Sequence, residues 1–574
     1  MQNTSRFKGI PIGIDDFKVL IDRGGYYIDK SLFIKEILDD ISPVKLITRP
    51  RRFGKTLNLS MLKYFFENAK DDHGVLFQNL QIQKAGAAYL AEQGRYPVVN
   101  LTFKDIKCHN FEDCLELLKI KIADEFKRHD NILLSDRIRE SDKRQFTAVI
   151  EEKTSPVRLR TSLEFLTKIL KEYYDRDVVV LIDEYDTPIN QGYLAGYYEE
   201  IIDFMRNFLG GGLKGNNVLK AAVITGIYRV AKESIFSGFN NLEVSSVTGN
   251  QFADKFGFTE NEVAVMLNDY DLEANMDEVK NWYNGYLFGD NTVIYNPWSI
   301  VNYVKNRKFE PYWVNTSSND IIRQILLKTN GEVKQKLQLL LEGKELTEIT
   351  LNSDTSFREI SNREMVDEDV LWNLLLVSGY LKSQNIRQEG GRTKGALKIP
   401  NREILIMFED IILEWFKEGE VSPSRIKTLL AYLVDGEIAN FKTEFEYLVQ
   451  KTFSYFDVGQ NTAENFYHAF ILGLLVNLDG KYRIKSNVES GKGRPDVMLI
   501  PLDNTKKGVI MEFKVAGSEA DEALQVKARE ALEQIEKMEY AGELAHEGIK
   551  EAVEMGIVFY RKKTWIEFRT RQLR

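Results

Sequence analysis

Residues 45–59 read KLITRPRRFGKTLNL, a short apolar strand that runs into a Gly-Lys-Thr at the start of a helix. Gly54 lets the backbone approach an anion, and the first free N–H groups of the helix point towards it. Lys55 would reach the β- and γ-phosphates of a nucleotide, and the Thr56 hydroxyl would take one Mg²⁺ position. Arg49 stands where the consensus G-x-x-x-x-G-K-[ST] has its first glycine. The alternative is an ordinary strand-to-helix turn with a solvated lysine.

A second stretch, VVVLIDEYD at residues 178–186, favours the phosphate-binding interpretation. Its apolar run predicts a strand buried on both faces of a parallel sheet, and the strand ends in two adjacent carboxylates. Asp183 is placed to hold Mg²⁺ through water, and Glu184 is placed to polarise the attacking water. The alternative is a buried strand followed by a solvated acidic turn.

Several segments, spread over the first half of the chain, together resemble one bacterial family. They are RPRRFGKTL (49–57), LIDEYDTPI (181–189), TGIYRVAKESIFSGFNNL (225–242), WYNGYLFG (282–289) and YNPWSIVNY (295–303). The chain resembles the AAA-ATPase-like family, whose members often end in a PD-(D/E)xK nuclease-like domain, and the resemblance extends over nearly its whole length. An arginine at the first P-loop glycine is usual in that family.

The resemblance implies a set of residues around a bound nucleotide. The P-loop residues expected to bind ATP are Arg52, Phe53, Gly54, Lys55 and Thr56. Tyr27, Asp29 and Lys30 are expected near the base or ribose, and the alternative for Tyr26 and Tyr27 is plain packing. The strand at 218–226 ends in Thr225, where this class of ATPase keeps its γ-phosphate sensor. Arg229 lies just past that strand. It either senses nucleotide, contacts a neighbouring subunit, or is a surface salt-bridge partner.

The composition limits the choice of protein class. The chain has 574 residues, of which 43% are hydrophobic and 28% charged, which predicts a globular protein of about three domains. A formal net charge of −9 means that any nucleic-acid contact must come from local basic patches. The first residues have no apolar region of the signal-peptide type, and no apolar run is long enough to span a bilayer. The sequence therefore predicts a cytoplasmic protein without a membrane partner.

The cysteines and histidines do not indicate a metal centre. Cys108 and Cys114 are separated by five residues, which fits neither a zinc pair nor a disulfide framework. The five histidines are scattered and form no metal-ligand spacing. We expect both cysteines to be reduced, ordinary side chains.

Alternating strands and helices in the first part of the chain predict a parallel sheet covered on both faces. We assign residues 1–255 to an AAA-ATPase-like P-loop domain and the aromatic-rich residues 256–330 to a small helical lid. Residues 331–450 read as a helical linker in which a helix and a hairpin, at 371–401, outline a winged-helix module. The basic residues of that hairpin either read DNA or form a solvated turn. They are Arg387, Arg392, Lys394 and Lys398.

Residues 451–574 contain a second set of charged residues. Asp496 begins one strand of a predicted hairpin, and the return strand GVIMEFKV carries Glu512 and Lys514. Because side chains at i and i+2 point the same way along a strand, Glu512 and Lys514 share a face, and hairpin pairing brings Asp496 close to them. The two carboxylates can hold Mg²⁺, and Lys514 can position or deprotonate the attacking water. This arrangement is suited to phosphodiester hydrolysis.

Two helices flank this hairpin and add polar groups to it. Glu464, on the preceding helix (462–475), is a further acidic group for the metal, and Gln534 could reach in from the following helix. Charges inside an apolar strand are costly to bury unless they are paired. The alternative is a surface hairpin in which Glu512 and Lys514 form an ordinary ion pair. The basic tail, residues 560–574, either grips a nucleic-acid backbone or forms a solvated edge strand.

The sequence as a whole predicts an α/β chain. It combines an N-terminal P-loop NTPase domain of AAA-like type, a helical middle with a winged-helix module, and a C-terminal restriction-endonuclease-like α/β domain. The favoured function is ATP binding and hydrolysis coupled to Mg²⁺-dependent cleavage of nucleic acid, with DNA favoured, in defence or mobile-element handling. A homo-oligomer is compatible with this function. The alternative is a nucleotide-switched signalling or scaffold protein whose nuclease-like domain binds nucleic acid without cutting it.

Overall fold

A computed structural model describes most of the chain. The described residues are 9–230, 235–236, 239–316, 322, 325–326, 331–341, 343–352, 354–355, 368–418, 423–452, 471, 474–475, 478, 480–485, 493 and 495–573. They form two compact units, of which unit 1 is Met1–Ile322 with Thr347–Ile404 and unit 2 is Arg323–Leu346 with Leu405–Arg574. The segment 331–450, predicted as one linker, is therefore divided between the two units.

The elements are numbered here in chain order. The helices are α1 (Phe17–Asp22), α2 (Leu32–Asp39), α3 (Lys55–Phe66), α4 (Ala87–Leu90), α5 (Phe111–Lys127), α6 (Glu140–Ile150), α7 (Pro156–Arg160), α8 (Ser162–Tyr174), α9 (Thr187–Ala195), α10 (Tyr198–Leu213), α11 (Glu260–Asp269), α12 (Met276–Tyr283), α13 (Pro297–Asn306), α14 (Gly331–Leu341), α15 (Glu368–Val377), α16 (Arg402–Glu418), α17 (Pro423–Asp435), α18 (Ile438–Thr452), α19 (Asp521–Lys537) and α20 (Ala541–His546). The strands are β1 (Val44–Thr48), β2 (Val98–Thr102), β3 (Val178–Asp183), β4 (Leu219–Gly226), β5 (Arg229–Val230), β6 (Leu242–Ser245), β7 (Phe258–Thr259), β8 (Tyr286–Phe288), β9 (Thr292–Tyr295), β10 (Leu346–Thr350), β11 (Asp354–Thr355), β12 (Lys382–Glu389), β13 (Arg392–Lys398), β14 (Tyr482–Lys485), β15 (Val497–Pro501), β16 (Gly508–Val515), β17 (Glu551–Tyr560) and β18 (Lys563–Gln572). None of these helices is long and apolar enough to cross a bilayer.

The main sheet of unit 1 is parallel and has the order β2-β3-β4-β1-β6, which confirms the predicted α/β fold. Every residue of β1 and β3 is buried, as expected for strands covered on both faces. The order brings the carboxyl ends of β1, β4, β3 and β2 side by side along one edge. Ligands of open parallel sheets bind at this edge, and the polar residues singled out in the sequence follow these strand ends.

Helix α11, which follows the sheet, contacts the start of the described chain. The capping box of α11 uses Thr259 and Glu262, and Glu262 also accepts hydrogen bonds from the buried Nζ of Lys30 at 2.6 and 2.7 Å. The Tyr26 hydroxyl donates to the Asp269 carboxylate at the end of the same helix, at 2.6 Å. The start of the described chain and α11 are therefore joined by two side-chain contacts.

The predicted hairpin of the middle region is present as β12 and β13, and β10 pairs with β13 to make a three-stranded sheet. Two of its four basic side chains have acidic partners: Arg387 pairs with Glu348, and Lys394 lies 3.5 Å from Glu348 and 3.1 Å from Glu389. These exposed pairs favour the solvated-turn interpretation over a wing that reads DNA.

Unit 2 is built on a mixed sheet of order β14-β15-β16-β17-β18, in which only the β16–β17 pair is parallel among the described strands. Side chains along β16 alternate between two apolar layers, with Met511 and Phe513 in one layer and Ile510 in the other. This is the period of two predicted from the sequence, and it assigns Glu512 and Lys514 to the same face as Ile510.

Gly556 allows α19 to lie directly against that face. It pairs with Glu512 in the sheet register, and a Cβ at this position would lie 2.3 Å from the carbonyl oxygen of Ala528 and 3.0 Å from the Cβ of Ala531. Any larger residue would therefore push the α19 backbone away from β16 and β17. This helix carries Gln534, one of the predicted polar groups.

We expect Gly556→Ala to lower the free energy of unfolding of unit 2 by about 1–3 kcal/mol, because the added methyl overpacks a helix backbone that has no room to move. Calorimetry of the full chain should show a lower transition for this unit. Gly542→Ala is the matched control, since nothing lies within 4 Å of its Cβ position and the residue is helical. Equal melting of the two variants would contradict the close approach.

Two candidate active sites

The P-loop between β1 and α3 wraps around the amino group of Lys55. Gly54 has φ +85° and begins α3, and the Lys55 Nζ donates to the carbonyl oxygens of Arg49 and Pro50, each at 3.0 Å. Burial lowers the pKa of Lys55, while Glu184 and Asp183 act in the opposite direction. The loop therefore holds a buried amine beside free helical N–H groups, which is the arrangement that binds a phosphate.

Arg49, at the position of the missing glycine, is a structural residue. Its guanidinium is fully buried and donates to the carbonyl oxygens of Thr48 and Ser245 at 2.9 Å and of Gln251 at 3.1 Å. Burial lowers its pKa to about 9. The arginine thus ties the end of β1 to the end of β6 and the turn that follows it, and the conformational freedom of a glycine is not used there.

Asp183 connects three elements at the carboxyl edge of the sheet. Its Oδ2 accepts from the Thr56 hydroxyl of α3 and its Oδ1 from the Thr225 hydroxyl of β4, both at 2.6 Å. Burial raises the pKa of Asp183, and the two hydroxyl donors counteract that rise. Glu184 follows with φ +50°, and its carboxylate accepts from the Thr187 hydroxyl at 3.1 Å. The structure thus brings Thr56, Asp183 and Thr225 into direct contact, with Glu184 next in the chain.

A cavity of about 660 Å³ opens beside these residues and is large enough for a nucleotide. The P-loop residues 51–56 and Glu184 line it, together with Tyr27 and Lys30 on the side expected for the base. Asp29, expected there too, accepts hydrogen bonds from the backbone N–H groups of Ser31 and Gln81 instead. Its carboxylate holds the chain in place.

The remaining predicted residues of this site lie in different surroundings. Arg52 has φ +65°, and its guanidinium lies 4.4 Å from the ring centre of Trp298, which also lines the cavity. Phe53 is buried against Tyr286. Arg229 lies in β5, which pairs with β11. It does not belong to the described residues that line the cavity. A nucleotide role for Arg229 stays a prediction.

One residue near the site was not singled out in the sequence. Asp186, three positions after Asp183, is buried and accepts from the backbone N–H groups of Ile227 and Tyr228 at 2.8 and 3.0 Å. Burial raises its pKa, and these two donors counteract the rise. It fixes the chain just after Thr225. The only sign of Asp186 in the sequence is that it is the third carboxylate of the acidic stretch. Its hydrogen-bond partners are distant in sequence.

The second candidate site lies in unit 2 and gathers the predicted hairpin residues. The Asp496 Oδ2 accepts from the backbone N–H of Phe513 at 2.7 Å, which holds this carboxylate beside Glu512. The Lys514 Nζ lies 3.4 Å from Glu512 Oε1, and the same oxygen accepts from the Gln534 side chain on α19. The structure thus brings together Asp496, Glu512, Lys514 and Gln534. Glu464, predicted as a further ligand, lies outside the described residues.

The buried carboxylate of Glu512 has an unused oxygen. Its Oε2 is inaccessible and has no hydrogen-bond partner in the described part of the chain. Burial first, and the Asp496 charge second, raise the pKa of Glu512 to about 8, and Lys514 acts in the opposite direction. Among the described residues, no group of three or more His, Cys, Asp or Glu side chains is arranged to hold a metal ion, so the described acidic donors here are two. A buried carboxylate beside the partly exposed Asp496 fits a Mg²⁺ site completed by water or substrate.

The basic tail forms β18, an edge strand of this sheet. Arg569 and Arg571 both pair with the fully buried Glu554 of β17, and Lys563 lies 2.7 Å from Asp521. These side chains are therefore engaged in the fold, as the edge-strand alternative expects.

The first site defines a P-loop nucleotide-binding domain of the ATPase type, and the second has the hairpin and carboxylate arrangement of a PD-(D/E)xK nuclease. Residues 11–236 match the family described as "Predicted AAA-ATPase", and residues 462–569 match the PD-(D/E)XK nuclease superfamily. The chain therefore carries one domain of each family, and the resemblance drawn from its motifs is confirmed.

A curated relative shares most of this length. A protein of Azotobacter chroococcum mcd 1, described as "Uncharacterized protein in vnfD 5'region", is 26% identical over 436 residues, which cover 75% of each chain.

The raised pKa of Glu512 makes the stability of unit 2 depend on pH when metal is absent. Below about pH 4.5 the group is protonated whether the chain is folded or unfolded, and it adds no penalty. As the pH rises towards about 8 the unfolded chain loses this proton first, so the free energy of unfolding falls. We expect Glu512→Gln to be more stable than wild type in EDTA, by a margin that grows between about pH 5 and 9.

Urea unfolding of both full-length chains across this range measures the margin. Lys506→Ala, in the exposed turn of the same hairpin, serves as the control and should follow wild type. Parallel pH profiles for wild type and Glu512→Gln would contradict the raised pKa.

Proposed function

We propose that the chain hydrolyses ATP at the P-loop site and cleaves nucleic acid phosphodiesters at the unit 2 site, with Mg²⁺ bound at both. The observation that carries the proposed ATP hydrolysis is that five polar residues lie near the ends of neighbouring strands along one edge of the sheet. Lys55 and Thr56 follow β1, Thr225 is near the end of β4, Asp183 ends β3, and Glu184 follows it. The second half rests on the pair Asp496 and Glu512 beside Lys514. A cleavage assay on mixed DNA and RNA in Mg²⁺, with and without ATP, tests both halves and their coupling.

At the first site each side chain has a distinct task. Lys55 and the N–H groups at the start of α3 bind the β- and γ-phosphates, and Thr225 contacts Asp183 where a γ-phosphate sensor is expected. Glu184 accepts a proton from the attacking water, and its hydrogen bond from Thr187 holds the carboxylate in position. When bound, Mg²⁺ offsets negative charge on the phosphate oxygens, and Thr56 with Asp183 would hold it here.

We expect Lys55→Ala to lose ATP binding, whereas Glu184→Gln keeps binding and lowers kcat by about 10²–10⁴, because the phosphate contacts survive while the proton acceptor is lost. Fluorescent-nucleotide binding and phosphate release, measured on the same samples, separate the two effects. Lys63→Ala is the control, since Lys63 is on the same helix but is not among the cavity-lining residues. Equal turnover in wild type and Glu184→Gln would refute the assignment.

At the second site Asp496 and Glu512 would hold Mg²⁺ next to the scissile phosphate. Lys514 is partly exposed and its Nζ lies 3.4 Å from Glu512, where it would orient or deprotonate the attacking water. Gln534 donates to Glu512 and acts as a positioning residue for that carboxylate. The competing function, nucleic-acid binding without cleavage by a nucleotide-switched scaffold, uses the same surface but does not need Lys514.

We expect Asp496→Ala and Lys514→Ala to abolish or strongly reduce plasmid cleavage in Mg²⁺ while the fold is kept, because a ligand or the water-orienting cation is lost. Lys514→Ala should keep Mg²⁺ binding, measured by calorimetry. A purely structural Lys514 predicts instead a loss of roughly 3–5 kcal/mol of stability, the cost of leaving a buried charge unpaired. A large drop in melting temperature for Lys514→Ala, together with a wild type that cuts neither DNA nor RNA, would leave the scaffold function.

A further inference from the structure

The cavity of unit 1 is lined by seven cationic side chains, and most of them are engaged by other groups of the protein. Those with partners are Lys30 with Glu262, Lys255 with Glu36, Lys104 with Asp15, Lys55 with two P-loop carbonyls, Arg52 with the Trp298 ring, and Arg51, which also interacts within the chain. The seventh is Lys107, an exposed side chain. Within the described residues it has no hydrogen-bond or ion-pair partner. It is therefore available to a ligand.

The loop that carries Lys107 is fixed at two points. Where it leaves β2, the Phe103 N–H donates to the carbonyl oxygen of Asp183 at 3.0 Å. Further along, the Cys108 carbonyl accepts from the Gln191 side chain of α9 at 3.0 Å and from the Tyr197 hydroxyl at 3.1 Å. Lys107 thus lies on a loop joined to the end of β3 and to the helix that follows Glu184.

The strand order determines from which side Lys107 approaches the cavity. Along the sheet edge the order is β1, β4, β3, β2, with neighbouring strands about 4.8 Å apart. Lys55 follows β1, Glu184 follows β3, and Lys107 follows β2, one strand beyond Glu184. In this order, the strand before Lys107 lies on the far side of β3 from the strand before Lys55.

We propose that Lys107 supplies, from within the same chain, the cation that stabilises the transferring phosphoryl group on the side of the attacking water. This inference rests on the proposed ATP hydrolysis. In that reaction the water oxygen bonds to the γ-phosphorus while the bond to the bridging oxygen breaks. The electron pair leaves with ADP, and Glu184 takes a proton from the water. Charge builds on the three equatorial oxygens, and a cavity-lining ammonium group on the loop after β2 would offset it.

The arrangement also bears on whether a second subunit is needed. ATPases with an arginine finger supply this charge either within the chain or from a partner. Arg229 is not among the residues that line the cavity of its own chain, and it belongs to the β5–β11 pair, so it is not placed to supply this charge within the chain. Lys107 completes the site within one chain, so hydrolysis by the isolated chain needs no neighbour.

The test compares Lys107→Ala and Lys107→Arg with Lys121→Ala in the full chain. Lys121 lies 3.6 Å from Asp105 of the same loop but does not line the cavity, so it controls for loosening of the loop. We expect Lys107→Ala to lower kcat by about 10²–10³ with ADP affinity unchanged, and to weaken ADP–aluminium fluoride binding by a similar factor. Lys107→Arg should retain most activity, and Lys121→Ala should match wild type. Specific activity should be constant on dilution.

Wild-type kcat and unchanged ADP–aluminium fluoride affinity in Lys107→Ala would overturn the proposal. So would a specific activity that rises with protein concentration, since a neighbour would then supply the charge. If wild type binds nucleotide without turning it over, the proposed hydrolysis fails, and the ratio of ADP–aluminium fluoride to ADP affinity still decides the role of Lys107. If wild type binds no nucleotide, both proposals fail.

Discussion

The buried carboxylate of Asp183 accepts hydrogen bonds from Thr56 and Thr225, and this junction fixes the geometry of the first site. Asp183, at the end of β3, thereby sets the position of helix α3 and of strand β4. Because Asp183 is buried, its carboxylate is desolvated, and each hydroxyl donor offsets part of that cost. Loss of either donor would leave one carboxylate oxygen without that hydrogen bond. The position of Glu184 follows from it, since it is the next residue in the chain.

The P-loop is held by its surroundings rather than by glycine. The guanidinium of Arg49 bonds to the backbone at the ends of β1 and β6, the Trp313 indole donates to the Arg51 carbonyl at 3.1 Å, and the Gly257 N–H donates to the Phe53 carbonyl at 3.0 Å. A Cβ at Gly379 would lie 2.9 Å from the side chain of Pro50. Residues 347–404 contribute to these contacts, which explains why they belong to unit 1 although the sequence places them after a helical segment.

Trp313, whose indole contacts the P-loop, is itself held by a further hydrogen bond. The buried Glu403 carboxylate accepts from the backbone N–H of Trp313 at 2.5 Å and from the Ser299 hydroxyl at 2.8 Å. Burial raises its pKa to about 7, and these donors partly counteract the rise. The P-loop is thus connected to the start of α13 and α16. A preorganised loop of this kind has little conformational entropy to lose on binding.

Local motifs predicted most of what the structure brings together. Lys55 with Thr56, and Glu512 with Lys514, lie on single turns or strands, so spacing alone determines their faces. Asp186, Lys107 and Gly556 were missed because their importance depends on partners distant in the chain: two backbone N–H groups after β4, a cavity wall, and the backbone of α19. The grouping of 347–404 was missed for the same reason, since the sequence does not show that a chain returns to an earlier domain.

The two sites differ in the sign of the charge that surrounds them. The first has a surplus of cationic side chains around its cavity, which suits a polyanion that arrives with its own charge. The second concentrates two carboxylates and a single lysine, and burial raises the pKa of Glu512 to about 8. A cation that binds to Glu512 below that pH would displace its proton, so binding and deprotonation are linked. Gln534 and Lys514 stabilise the deprotonated form by donating to Oε1, while the buried Oε2 has no hydrogen-bond partner among the described residues.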